Sequence, residues 1–233
     1  MTDFHSHILP GIDDGSKNTD MSLQMIASLA KQGVDTIAAT SHFYATERSP
    51  QRFLQRREAA YARLREKLPA SSPKILLGAE VLYFPGISHM EELPALCLEG
   101  TKLLLLEMPF QPWSEHMIRE VDEMTRSGLY TVVLAHIERY YDKQDPSVWD
   151  GFLERGILMQ SNADFFLSLW TRRKALRLLR EHRIHLLGTD CHNMSSRAPH
   201  MAEARELIRN RLGSGVLDEI DALGNELLTE GCG

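Results

Sequence analysis

Long apolar runs are missing from this 233-residue sequence. The longest are the size of Leu103–Leu106, far short of the ~20 residues a membrane span requires, so no segment is expected to insert into a bilayer. Met1-Thr2-Asp3-Phe4-His5 runs straight into a strand-like pattern, without the basic stretch and apolar core of a secretory leader, and a cytoplasmic protein is the expectation. Cysteine is scarce. Cys97, Cys191 and Cys232 are odd in number and widely spaced, which excludes a disulfide framework or a CxxC metal knuckle and leaves reduced thiols. Excess positive charge is absent as well: 26 Lys plus Arg stand against 32 Asp plus Glu, for a net charge of −6. No stretch gathers enough cations to neutralise a row of phosphates, so nucleic acid is not an expected partner. Arg56-Arg57 and Arg172-Arg173-Lys174 read as solvated helix faces. The remaining composition, 43% apolar and 25% charged, is that of an ordinary globular protein.

Short apolar or β-branched runs recur along the chain with amphipathic stretches between them, at the spacing of a βα repeat. Seven strands are predicted, over Asp3–Ile8, Thr36–Ser41, Ile75–Val81, Leu103–Met108, Thr131–His136, Ile157–Ser161 and His185–Asp190. Several are apolar on both faces, which suits parallel strands covered on both sides. A helix capped by Thr19 and ended by Gly33 buries Met25, Ile26, Leu29 and Ala30, and a second starts at Ser49-Pro50 and stops at Pro69. Further helices are predicted over Ser114–Ser127, Pro146–Arg155, Thr171–His182, Pro199–Leu212 and Val216–Leu228. No stretch resembles an interdomain linker. Residues 1–233 are read as a single α/β domain, most economically a closed barrel of about seven βα units; the pattern is also compatible with an open sheet.

The informative residues lie at the C-terminal ends of the strands, where α/β barrels keep their chemistry. His5 and His7 are spaced to project to one face, and Asp13 and Asp14 follow in a turn framed by Gly11 and Gly15. His42 ends the second strand, Glu80 the third, Glu107 the fourth, His136 the fifth, and Asp190 with His192 the seventh. Only the sixth, ending Gln160-Ser161-Asn162, lacks a strong ligand. Bringing Asp14, Glu80, Glu107 and Asp190 together would set like charges against one another at a cost of several kcal/mol per pair, so cations are required to compensate. Nine mixed imidazole and carboxylate ligands exceed the four that one zinc takes, and two or three divalent ions fit better.

These residues resemble the polymerase-and-histidinol-phosphatase superfamily, which implies a distorted seven-stranded TIM-like barrel with a trinuclear metal site. The segments His5-Ser6-His7-Ile8-Leu9-Pro10-Gly11-Ile12-Asp13-Asp14-Gly15, Ala135-His136-Ile137-Glu138-Arg139-Tyr140 and Thr189-Asp190-Cys191-His192-Asn193 are similar, in that order, to the manganese-dependent tyrosine-protein phosphatases of bacterial capsule and exopolysaccharide operons. Carried over by position, the resemblance implies His5, His7, Glu80 and Asp190 on one metal, Glu80, Glu107 and His136 on a second, and Asp14, His42 and His192 on a third. Arg139 and Arg197 match the family's phosphate-gripping arginines. Ser41 departs from the pattern, in which proline precedes the histidine. The resemblance further implies manganese, with iron or zinc as alternatives, and a phosphotyrosine protein as substrate, a cognate tyrosine autokinase. Oligomeric state is not legible.

Rival readings remain. Cys191 through Arg197 fits the CxxxxxR spacing of cysteine-dependent tyrosine phosphatases, which would make Cys191 a thiolate nucleophile. Hydrolysis of histidinol phosphate or another phosphoester is a second possibility, and a non-catalytic metal-binding scaffold a third. Phe43, Tyr44, Phe110, Trp113, Tyr140 and Phe165 lie just past strand ends; core packing is the expected role of most. Glu138 is either a partner of the metal ligands or a surface acid.

Overall fold

The computed structural model describes residues 1–229; the thiol of Cys232 lies outside them. Nine strands alternate with helices: β1 (Thr2–Ser6), α1 (Thr19–Lys31), β2 (Thr36–Ala39), β3 (His42–Phe43), α2 (Pro50–Arg65), β4 (Lys74–Leu77), β5 (Glu80–Leu82), β6 (Leu103–Glu107), α3 (Glu115–Arg126), β7 (Thr131–Leu134), α4 (Pro146–Glu154), β8 (Leu158–Asn162), α5 (Ala163–Leu167), α6 (Arg172–Arg180), β9 (Leu186–Gly188), α7 (Met201–Leu212) and α8 (Gly215–Thr229). All pairings are parallel, in the orders β1-β2-β4 and β3-β5-β6-β7-β8-β9. The two sheets are one curled wall broken in two places. Predicted strands two and three each split, into β2/β3 and β4/β5, where the Glu80 amide is shared between the carbonyls of Thr40 and Ser41 at 3.2 and 3.1 Å. The wall closes where the Asp190 amide donates to His5 O at 2.7 Å and the His7 amide to Cys191 O at 2.9 Å. The distorted barrel expected from the sequence is therefore present.

Local chemistry explains the helix boundaries. Asn18, not Thr19, caps α1: its side chain accepts from the Met21 amide at 2.9 Å, leaving Thr19 as the first helical residue. Ser49 caps α2 with Pro50 in the first turn. The crossover between β5 and β6 has no α-helix; two 3₁₀ turns, Ile87–His89 and Leu93–Leu96, replace it, the second carrying Pro94 near its start. Arg57 is a correction to the solvated-face reading. It is buried, and one of its nitrogens donates to the carbonyls of Gly78 and Ala95, tying that crossover to the break after β4. Arg172 likewise is spent on the carbonyls of Phe166 and Leu167.

The lumen is filled in layers because residues two apart on a strand share a face. Ala38, Leu76, Leu103, Val133 and Leu186 pack with Phe4 in an apolar lower layer, closed below by Leu223, Leu227 and Leu228 of α8. Thr40, Gly78, Leu105, Gln160 and Gly188 stand two residues further along, and His42, Glu80, Glu107, Asn162 and Asp190 two further still. The ligand-type residues thus occupy the top of the same rows that the leucines begin. β1 reaches this arrangement through a register irregularity between Asp3 and Ser6, which lets Phe4 join the apolar layer while His5 and His7 both face the mouth.

Candidate metal centre

Every ligand-type residue predicted from the sequence is found at one mouth of the barrel. Ligand atoms of His5, His7 and Asp190 lie within 4.8 Å of one another, as do those of His7, Asp14, His42 and His192, and those of His42, Glu80 and Glu107. His136 Nε2 is 2.6 Å from Glu80 Oε1 and 3.4 Å from Glu107 Oε1, which brings the ninth side chain into the group. Glu80 sits at the centre: its Oε2 is 3.3 Å from His5 Nε2, 3.3 Å from His7 Nε2 and 2.8 Å from His42 Nδ1. One difference from the expected grouping is that His42 approaches Glu80 and Glu107 as closely as it does Asp14 and His192.

Two strand ends are turned by unusual backbone. His136 (φ 31°) and Asp190 (φ 51°) adopt left-handed conformations that non-glycine residues rarely take, and in each case the turn follows directly on a strand. Two glycines are required by the crowding. A Cβ on Gly15 would stand 2.4 Å from His7 Cβ, and one on Gly188 would stand 2.5 Å from His5 Cβ.

Charge balance is the central electrostatic fact. Burial would raise the Glu80 carboxyl pKa, but the neighbouring His5 imidazole, the hydrogen bond from His136 and the close approach of His42 hold it well below the usual range. Burial acts the same way on Asp190 and is outweighed by the His5 and His7 imidazoles. Burial would lower the His136 pKa, but its hydrogen bonds to Glu107 and Glu80 raise it to about 9. His7 rises well above its ordinary value, the Asp13 carboxylate overcoming burial. His192 goes the other way, lowered to about 4 by burial and by the neighbouring His7 charge. With protons as the only cations available, protonated imidazoles are what offset the buried acids.

The donor set fits divalent ions. Buried Glu80 Oε2, His42 Nδ1 and His192 Nε2 have no hydrogen-bond partner of acceptable geometry. His5 Nε2 and His7 Nε2 face each other at 3.2 Å although at most one can donate. Ligand atoms aimed at a common point rather than at donors are what a coordination site requires, and buried polar atoms are otherwise satisfied.

Residues the sequence reading left without a role hold the ligands in place. Asp13 accepts from His7 Nδ1 at 2.8 Å and from the His42 amide at 3.0 Å. Gln160 Oε1 meets His5 Nδ1 at 3.1 Å and the His136 amide at 2.8 Å, and Asn162 Nδ2 donates to Asp190 at 2.8 Å. The sixth strand end therefore supplies positioning side chains, a role its place in the strand-end series could have signalled. Asp3, fully buried, accepts from the Thr189 amide and hydroxyl at 2.8 and 2.6 Å and so fixes the turn into Asp190. Glu138 accepts from Ser161 Oγ and the Asn162 amide, both at 3.1 Å, which makes it a brace between β7 and β8.

Arg139 and Arg197 reach the mouth from two loops, each about one-third exposed; Arg139 donates to Asp190 at 2.6 Å and Arg197 forms an ion pair with it at 2.7 Å. Of the rim aromatics, Phe43, Trp113, Tyr140 and Phe165 are core. Tyr44 stacks on His42 with ring centroids 5.1 Å apart, and Phe110, 45% exposed, lies under the Arg139 guanidinium at 5.7 Å. The thiol reading of Cys191 fails on burial: the side chain is fully enclosed and its pKa is pushed up to about 12.

Comparison with known proteins adds independent findings. Residues 1–227 match the model of the capsular polysaccharide synthesis family CpsB/CapC. The tyrosine-protein phosphatase CpsB of Streptococcus pneumoniae is 29% identical over 237 residues, covering 94% of each chain. The tyrosine-protein phosphatase YwqE of Bacillus subtilis (strain 168) is 28% identical, covering 92% of this chain and 86% of its own. A solved structure from the pair YwqE and CpsB, described as metal-dependent tyrosine phosphatases, superposes with a TM-score of 0.85 at 26% identity over 98% of this chain and 94% of that one. The phosphotriesterase homology protein of Escherichia coli, at 12% identity and a TM-score of 0.55 over 98% of each chain, shares the fold alone.

Proposed function

Because the chain belongs to the CpsB/CapC family of capsular polysaccharide synthesis, we propose that it is a metal-dependent tyrosine-protein phosphatase acting at the barrel mouth, with residues 1–233 as one catalytic unit. The observation that carries the reading is the convergence of nine imidazoles and carboxylates at one mouth, with buried Glu80 Oε2, His42 Nδ1 and His192 Nε2 left without a hydrogen-bond partner. We assign His5, His7, Glu80 and Asp190 to one divalent ion, Glu80, Glu107 and His136 to a second, and Asp14, His42 and His192 to a third, with manganese as the ion and iron or zinc as substitutes. Divalent ions so held supply Lewis-acid activation of water and neutralise the charge of a bound phosphoryl group.

The chain's own side chains do the rest. Arg139 and Arg197 stand on opposite oxygens of Asp190, Oδ2 and Oδ1. Once that carboxylate is engaged elsewhere, their planar forks are free to grip two phosphoryl oxygens and to stabilise the equatorial charge as the phenolate leaves. Exposed Phe110 and half-buried Tyr44 flank the opening and offer faces to an aromatic leaving group. Gln160 and Asp13 fix the imidazoles so that binding requires little reorganisation. Cys191 has no part in bond breaking.

The substrate is assigned as a phosphotyrosine protein, a cognate tyrosine autokinase, met in the cytoplasm; no helix among the described residues is long and apolar enough to cross a membrane. Phosphate release from a phosphotyrosine peptide and from histidinol phosphate, measured with manganese in excess, tests the reading. Turnover of the peptide in clear preference is expected. Preference for histidinol phosphate would replace the substrate assignment, and silence on every aryl phosphate would revive the scaffold reading.

A further inference from the structure

A cavity of about 350 Å³ opens beside the mouth. Its inner wall is Asp14 and His42 and its floor the Tyr44 ring, so it is continuous with the candidate metal centre. Its outer wall is different in kind. Arg48 and Arg56 line it, and both are anchored on the turn that carries Asp13 and Asp14: Arg48 Nη1 donates to Ile12 O at 3.2 Å, and Arg56 Nη2 to Gly11 O at 3.1 Å and Ile12 O at 3.4 Å. Each guanidinium uses one nitrogen for that anchor and keeps the rest of its five N–H donors. No carboxylate among the described residues forms an ion pair with either one. Arg52 lies on the first turn of α2, one turn before Arg56, and burial together with the charges of Arg48 and Arg52 depresses the Arg56 pKa. The acids lining the cavity are Asp14 of the metal centre, Asp13, whose carboxylate is bonded to His7 and the His42 amide, and the exposed Glu47. Anchored guanidiniums with spare donors, crowded by like charge and lacking a counter-ion, form a receptor for an anion.

We propose that this cavity is a docking subsite for an anionic side chain, a carboxylate or a second phosphate, that flanks the phosphotyrosine in the substrate polypeptide. The inference rests on the tyrosine-phosphatase reading and gives it a sequence preference. A tyrosine phosphate at the mouth places its neighbouring residues over Tyr44, and an acidic neighbour then meets Arg48 and Arg56 in a bidentate arrangement that a neutral one cannot use. Selection resides in binding of the flank, so a small aryl phosphate, which has no flank, is indifferent to it.

The test uses the manganese-loaded full chain with four substrates: para-nitrophenyl phosphate, and phosphotyrosine peptides with a neutral flank, a glutamate flank, or a second phosphotyrosine. Wild type is expected to favour an anionic flank by about five- to tenfold in kcat/KM, mainly through KM, with the advantage shrinking as salt rises. Arg48→Gln combined with Arg56→Gln should bring the ratio to about one while para-nitrophenyl phosphate turnover stays unchanged, and Arg48→Lys should retain part of the preference. If a glutamine variant also slows the small substrate, its anchor on the turn has been lost, and the ratio of anionic-flank to neutral-flank kcat/KM in that same variant, which cancels a loss common to all substrates, decides. The glutamate and second-phosphate peptides identify which anion is read. No preference in wild type, or a preference that survives in the glutamine variants, overturns the subsite while leaving the phosphatase reading intact; inactivity on all four substrates overturns both.

Discussion

The two ends of the barrel lumen are built on the same strands and do opposite work. In the lower layer Phe4, Leu76, Leu103, Val133 and Leu186 bury apolar surface against one another and against α8. Four residues along the same rows, Leu76 gives way to Glu80, Leu103 to Glu107 and Leu186 to Asp190, and the lumen becomes a nest of acids and imidazoles. The lower layer gains from excluding water, whereas the upper layer loses by it until cations arrive. One end therefore stabilises the fold and the other is tolerated for what it can bind.

Substitutions at the two ends should separate these roles. The largest effect is expected from Glu80→Gln or Asp190→Ala: bound metal and phosphatase activity both fall, the activity by more than about 10³-fold, because each removes a ligand shared by several neighbours. Circular dichroism should show an intact fold; collapse of the fold would mean that the upper layer is structural after all. At the other end Leu103→Ala should destabilise by about 2–5 kcal/mol, read by denaturant titration, with turnover per folded molecule unchanged.

Acid–base behaviour sharpens the contrast. In chelated protein, His136 with its pKa raised to about 9, and His7, also raised, lend stability that is full below the unfolded imidazole value of about 6.5 and is lost as pH climbs toward the folded value. His192, lowered to about 4, is neutral in the folded state across that window, and its opposing contribution is confined to the low end, near the unfolded value of about 6.5. The melting temperature of the chelated chain should thus fall between about pH 6.5 and 9, and manganese should abolish most of the decline while releasing protons on binding. A metal-free chain with a flat profile would contradict the charge balance described for Glu80 and Asp190. The smallest effect is expected from Cys191→Ser, which should leave turnover within about twofold because the enclosed thiol is protonated near neutral pH.

Much of this layering is legible in the sequence, since Leu103-Leu105-Glu107 and Leu186-Gly188-Asp190 step by two and end on ligands. The strand-end rule, together with the acidic turn after the first strand, singled out nine side chains that the structure brings to one mouth. Three features escaped it for the same physical reason, that they depend on partners remote in sequence. The register irregularity between Asp3 and Ser6 is set by pairing with β2. The left-handed turn at His136 is stabilised by Gln160, whose side chain accepts from its amide. The breaks in strands two and three sit where the Glu80 amide bridges two carbonyls. Asp13 and Asn162 were visible as residue types near the site but not as braces, because their bonds to His7 and Asp190 become apparent only once the barrel has closed.

Elemental analysis of the purified chain, paired with para-nitrophenyl phosphate hydrolysis before and after chelation, bears most directly on the claim that cations hold this mouth together. The account predicts two to three divalent ions per chain, activity lost with them and regained on adding manganese; full turnover by a chain stripped of metal would contradict it.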